Sequence, residues 1–197
     1  MGDAERLGRQ IGFLVEIDKL KTIMRQSYLI HANRQENSAE HSWHVAVMVL
    51  LLAEYAEERL DLSRVLQMVL IHDIVEIDAG DTYCYDAVDN LAKAEREQQA
   101  AQRIFGLLPE DQSEKLTALW REFEAGISRE AQCANAVDRF MPILHNYYTQ
   151  GKSWRAHGVT KEKVIARNIR IREYSPYLWQ WLNSLLEDAV DKGYLPE

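Results

Sequence analysis

Val65-Leu66-Gln67-Met68-Val69-Leu70-Ile71-His72-Asp73-Ile74-Val75-Glu76 is an apolar stretch that closes on one imidazole and two carboxylates. Its length and its apolar residues on successive turns predict a helix built for a core. Ligating side chains have no obvious place there. Burying a neutral polar group without a partner costs roughly 2–7 kcal/mol, and a charge costs more. Something must compensate, and a bound metal ion is the best candidate.

The flanks extend this reading. Asp61 reads as the N-cap of a helix reaching about Ile77, and Gly80 as its stop. In such a helix His72 and Glu76, four apart, share a face, and Asp73 is offset by about 100°. Asp81 follows just past the end. Further ligands must come from elsewhere. His41 and His44 lie three apart in Asn37-Ser38-Ala39-Glu40-His41-Ser42-Trp43-His44. Asn37 and Glu40 have capping-box spacing, so a helix starts there, and it is expected to run to about Arg59. Asp138 sits in the largely apolar Ala134-Asn135-Ala136-Val137-Asp138-Arg139-Phe140-Met141.

The remaining chain reads as helix after helix. Leu7 to about Gln26 carries a stripe of Leu7, Ile11, Leu14, Val15, Ile17, Leu20 and Ile23. His31–Asn37 is polar and reads as a loop, and residues 78–89 are acidic and aromatic without a period. Further helices are expected over Val88–Phe105, Glu110–Glu124, Arg129–Gln150 and Lys161–Lys192, with a break near Ser175-Pro176. Ser128 and Thr160 are credible caps. No run alternates with period two. The expected fold is all-α, a single domain over residues 1–197 with about seven or more helices.

Composition bounds the function. At 197 residues the chain can bury about 70% of its unfolded surface. A net charge of −8 argues against a nucleic-acid polymer as partner, but not against a small phosphorylated substrate. Cys84 and Cys133 show no CxxC spacing and read as reduced thiols. Met1-Gly2-Asp3-Ala4-Glu5-Arg6 has no signal-peptide pattern. The apolar run Val45–Ala53 is about half a membrane span. These features point to the cytoplasm, with no membrane partner.

Each polar residue has a plainer reading taken singly. A lone His on a half-apolar helix is usually a core or surface residue, and His31, His44, His145 and His157 are read so. Asp138 beside Arg139 reads alone as an ion pair. The set carries the argument: His41, the His72-Asp73 pair and Asp138 make a mixed nitrogen and oxygen donor group. That group suits Mn, Fe, Co, Ni or Zn, and also Mg. Trp179, Trp181, Leu182, Leu185 and Leu186 form an apolar stripe suited to the body or to a second subunit.

The order His41 … His72-Asp73 … Asp138 resembles the H…HD…D signature of the HD-domain metal-dependent phosphohydrolases. Arg34-Gln35-Glu36-Asn37-Ser38-Ala39-Glu40-His41-Ser42 is similar to the R-x-E-N-x-x-E-H-S segment of the branch holding the bacterial 5′-deoxynucleotidases and the oxetanocin-type hydrolases. His72 to Asp81 resembles that branch's H-D-x-x-E-x-x-x-G-D stretch. The likeness covers about residues 10 to 180. It implies His41, His72, Asp73 and Asp138 as ligands of one divalent ion, since two-metal members carry extra histidines after the HD pair. It supports Glu76 and Asp81 as catalytic groups: Glu76 to orient or deprotonate water, and Asp81 to serve the leaving oxygen. Arg25 resembles an arginine used near the phosphate, and Arg34 and Lys93 are further candidates.

The expected activity is removal of phosphate from a small phosphomonoester, with a (deoxy)nucleoside 5′-monophosphate as substrate and a homodimer as the assembly. Alternatives are another phosphorylated metabolite, a nucleoside di- or triphosphate, a non-catalytic nucleotide-binding regulator, or a helical module whose His-Asp pair is structural. The chain departs from the branch in two places. Gln26 follows Arg25 where the bacterial enzymes carry a Trp that helps exclude a ribose 2′-hydroxyl. Thr82-Tyr83-Cys84-Tyr85-Asp86 replaces a Pro-containing loop, and Tyr83 and Tyr85 have rings that could stack on a base or simply pack. Both departures concern substrate choice rather than the metal.

Overall fold

The computed structural model describes residues 2–82, 85 and 90–197. The expectations placed on Tyr83 and Cys84 lie outside the described residues. Helix α1 spans Asp3–Ile17, and the chain then tightens into a 3-10 turn over Asp18–Thr22. The expected helix to Gln26 therefore ends early, and Arg25 and Gln26 lie on a strand instead. Strand β1 (Met24–Tyr28) pairs antiparallel with β2 (Gln35–Asn37), with Met24 opposite Asn37 and Tyr28 opposite Gln35. Four steps on β1 match two on β2, so the first strand bulges. No period-two signal announced this hairpin because Arg25, Gln26 and Ser27 line a polar cavity.

Helix α2 (Ser38–Leu52) opens on the expected capping box. The Glu40 amide donates to Asn37 Oδ1 at 2.9 Å, and the Asn37 amide to Glu40 Oε2 at 3.1 Å. The helix stops before Arg59, in a 3-10 turn over Ala53–Tyr55. Helix α3 (Leu62–Ile71) starts at the Asp61 cap and buries Val65, Met68 and Val69 completely. It does not continue to Ile77. His72–Val75 wind into a 3-10 turn, and α4 (Glu76–Ala79) follows until Gly80 at φ +75° ends it. With about three residues per turn, positions three apart eclipse. Asp73 and Glu76 therefore line up along the turn.

The chain goes on through α5 (Asn90–Phe105), α6 (Glu110–Ala125), α7 (Arg129–Tyr148) and the short α8 (Lys152–Ala156). The helix expected over Lys161–Lys192 divides into α9 (Lys161–Asn168), α10 (Arg170–Tyr174) and α11 (Pro176–Asp191). Ser128, Thr160 and Ser175 cap their helices as their residue types favour. Helix α7 is the centre of the bundle. It packs against α2, α3, α6 and α10, and buries Ala134, Val137, Met141 and Ile143 against them. Leu182 and Leu186 of α11 are fully buried, so the C-terminal stripe packs on the body. Each such burial is worth about 1.5–3 kcal/mol. Trp181 leans on Phe140 at 5.7 Å and stays half-exposed. Among the described residues no helix is long and apolar enough to cross a membrane.

Candidate metal centre

Four elements converge at one point. Helix α2 contributes His41, the 3-10 turn after α3 contributes His72 and Asp73, α4 contributes Glu76, and α7 contributes Asp138. His72 Nδ1 lies 2.8 Å from the Val69 carbonyl. A carbonyl only accepts, so Nδ1 keeps a proton and Nε2 is the nitrogen left for a ligand, free once its own proton is released. That Nε2 is buried and makes no aligned hydrogen bond. It points at Asp73 Oδ1, 3.1 Å away, and at Asp138 Oδ1, 3.4 Å away. His41 Nε2 meets the same Asp138 oxygen at 2.8 Å. His41, His72 and Asp73 each bring a ligand atom within 4.8 Å of the others. An orphaned imidazole nitrogen facing two carboxylates is a donor set that fits a divalent ion.

The electrostatics point the same way. Asp73, Glu76, Asp81 and Asp138 all act on the Arg25 guanidinium. If all four ionise, one cation faces four anions, an imbalance that a buried site does not tolerate. Without an ion, protons make up the difference. Burial pulls the imidazoles down, but Asp73 and Asp138 overcome it and hold His72 up at about 9. His41 is likewise raised against burial and Arg25, by Asp138 and Glu36. Burial also works to raise Asp138, yet His41 and His72 hold it well below the usual carboxylate range. Glu76 goes the other way. Burial and the charge of Asp73 push it well above its ordinary value. The Ser38 hydroxyl donates to Glu76 Oε2 at 2.7 Å and fixes its orientation. Asp81 is raised too, chiefly by burial.

A cavity of about 240 Å³ opens over this group. Arg25 lines it as a largely buried cation: Nη1 lies 2.5 Å from Asp73, 3.7 Å from Glu76 and 4.0 Å from Asp81. Lys93 lines the cavity and pairs with Glu97 at 3.4 Å. Arg34 does not join it. It is exposed and forks onto Glu40 at the head of α2, beside the capping box. Tyr85 lines the cavity, as does Gln26, whose amide oxygen faces Gln35 at 3.5 Å.

Sequence reasoning missed Arg139, Arg167 and Arg170, which also line the cavity. The position of Arg139 next to Asp138 was the available signal. It also missed a second meeting of ligating groups, Glu36 with His44 and His145. His145 lies seven residues, two turns of α7, after Asp138, and that spacing could have found it.

A profile of the HD domain family matches residues 17–179, and the chain belongs to that family. It is 52% identical to a predicted metal-dependent phosphohydrolase from Magnetospirillum magnetotacticum, with a TM-score of 0.93 over 98% of this chain and 96% of that one. It is 32% identical to the human 5′-deoxynucleotidase HDDC2 over 67% of this chain and 64% of that protein. The 5′-deoxynucleotidase hdd1 of Schizosaccharomyces pombe is 23% identical over 90% of this chain and 89% of its own length. Against the human, mouse and bovine relatives the match spans 63 to 65% of their length, just under two thirds.

Proposed function

We propose that the chain is a metal-dependent phosphomonoester hydrolase acting on nucleoside 5′-monophosphates. One observation carries this reading: the buried, unpartnered Nε2 of His72 faces Asp73 and Asp138 beside a buried arginine, at the foot of an open cavity. The names of the human and fission-yeast relatives and of the Magnetospirillum neighbour support it. In this reading His41, His72, Asp73 and Asp138 hold one divalent ion. When bound, the ion would neutralise phosphate charge and lower the pKa of bound water.

The chain's own groups do the rest. Arg25 leans toward the incoming phosphate, and Lys93, Arg139, Arg167 and Arg170 draw it into a chain that is otherwise acidic. Glu76, raised above the ordinary carboxylate range and aligned by Ser38, takes a proton from the attacking water. Asp81 serves the leaving sugar oxygen. Gln26 offers the ribose an amide rather than an indole, so the reading includes ribonucleotides as well as deoxyribonucleotides. One HD domain over residues 1–197, in the cytoplasm, completes the proposal. The exposed apolar residues Leu7, Ile11, Leu14 and Val15 of α1 favour a homodimer.

Phosphate release from a panel of ribo- and deoxyribonucleoside 5′-monophosphates, sugar phosphates and nucleoside triphosphates, each with Mn, Co, Ni, Zn or Mg, tests the reading. Turnover of the nucleoside monophosphates with at least one ion is expected. Turnover confined to sugar phosphates or triphosphates overturns the substrate class. Nucleotide binding without phosphate release identifies a regulator instead.

A further inference from the structure

The α2–α7 pair that presents His41 and Asp138 carries a second set of ligating groups one level further along. His44 follows His41 by one turn, and His145 follows Asp138 by two turns. Glu36 reaches in from the middle of β2. We propose that Glu36, His44 and His145 form a second metal site, separate from the first centre, for a divalent transition-metal ion such as zinc or cobalt.

Three observations carry it. Glu36 and His145 are 1% and 3% exposed, yet Glu36 Oε2 and His145 Nδ1 have no hydrogen-bond partner. Buried polar atoms of folded chains are ordinarily satisfied, so these orphans, which His41 Nδ1 joins at the same carboxylate oxygen, require a cause. Glu36 Oε2 and His145 Nδ1 lie 3.7 Å apart, too far for a hydrogen bond. Two ligands on one tetrahedral ion, with bonds of about 2.0–2.1 Å, sit about 3.4 Å apart. Lastly, the His44 and His145 rings are 5.8 Å apart at 45° to each other. Two imidazoles sharing one such ion place their ring centres about 5 Å apart by the same geometry. One atom from each of the three residues falls within 4.8 Å of the others.

The chemistry selects the ion. Two imidazoles and one carboxylate suit zinc, cobalt, nickel or copper rather than magnesium. Three protein ligands leave a fourth position to water, and the half-buried His44 gives a route from solvent. Glu36 Oε2 also lies 3.4 Å from His41 Nδ1, so one carboxylate borders both sites. The alternative is a metal-free network in which Glu36 accepts from both His41 and His145.

Metal titration of the full chain decides between them. The chelator-stripped protein is titrated with Zn²⁺ against a chromophoric chelator, and with Co²⁺ followed by visible absorption. His44→Ala, at a half-buried helix position that accepts alanine, should take up one equivalent fewer than the unsubstituted chain. It should also lose a tetrahedral Co²⁺ band, the affinity at that site falling on the order of 100-fold or more. Asp73→Ala should keep that band, because it empties only the first centre. Circular dichroism confirms that both variants are folded. The proposal is overturned if His44→Ala and the unsubstituted chain bind the same number of ions with the same affinities. It is equally overturned if Asp73→Ala alone removes every tight equivalent. Neither result bears on nucleotide hydrolysis, which is measured separately.

Discussion

Arg25→Ala removes the guanidinium that, among the described residues, pairs with Asp73, Glu76 and Asp81. Its side chain is only 14% exposed, and that of Asp73 8%, so solvent screens the pair weakly. Taking one partner from a buried ion pair costs about 3–5 kcal/mol. A chain of this size loses about 2–4 °C of melting temperature per kcal/mol. The metal-free variant should therefore melt about 6–20 °C below the parent. Glu76 sets the pH dependence. Arg25 holds its pKa down, so in the variant it rises further above the ordinary value of 4.5. A carboxyl raised in the folded state destabilises as pH climbs above its unfolded value. The deficit should thus widen from acid toward neutral pH. A divalent ion balances the same carboxylates, so added Mn²⁺ should raise the melting temperature more in the variant than in the parent. Loss of a charged hydrogen bond to phosphate, about 1.5–3 kcal/mol, should lower kcat/KM by about 10–150-fold. Differential scanning fluorimetry with and without Mn²⁺, beside phosphate release, reads all of this. A metal-free variant that melts with the parent and turns over equally fast refutes both roles of Arg25.

Three further outcomes follow. Glu76→Gln should keep the parent's metal content and lose about 10²–10⁴-fold in kcat, the usual range for general acid–base catalysis. Retained turnover shows that another group moves the proton. Metal affinity should rise with pH, because His72 held at about 9 in the metal-free protein must release its proton to bind. Each such proton gives about tenfold per pH unit below that value, and calorimetry that finds a flat affinity contradicts it. In the metal-free protein the same shift is stabilising below the unfolded value of 6.5, and the gain is lost as pH rises through about 9. Gln26→Trp should raise the preference for dAMP over AMP by narrowing the cavity at the sugar, and an unchanged ratio removes Gln26 from substrate choice.

Much of this architecture is legible in the amino-acid sequence alone. The capping residues Asn37, Asp61, Ser128 and Thr160 mark helix starts because their side chains satisfy free amides locally, and local physics is written in local sequence. His41, His72, Asp73 and Asp138 were legible as ligating types in apolar surroundings, and the structure brings them together. The hairpin was not legible. Residues 24–28 owe their strand to pairing with residues 35–37 and to a polar cavity, and neither leaves an apolar alternation. The turn at His72 was hidden for a related reason. Its 3-10 winding is a tertiary outcome, and a 3.6-residue period fits the same apolar positions. Arg34 lies outside the cavity and forks onto Glu40, and the sequence does not separate that pairing from a contact with phosphate, because both ask for the same side chain. His44 and His145 read singly as core or surface residues, since only the packing of α2 on α7 and β2 makes them neighbours of Glu36.

Phosphate release from a nucleoside 5′-monophosphate by Asp73→Ala, measured beside the unsubstituted chain with saturating Mn²⁺, addresses the metal centre most directly. Asp73 touches both Arg25 and His72, so its loss should abolish turnover while the fold persists. Turnover within tenfold of the unsubstituted chain would contradict the site as drawn.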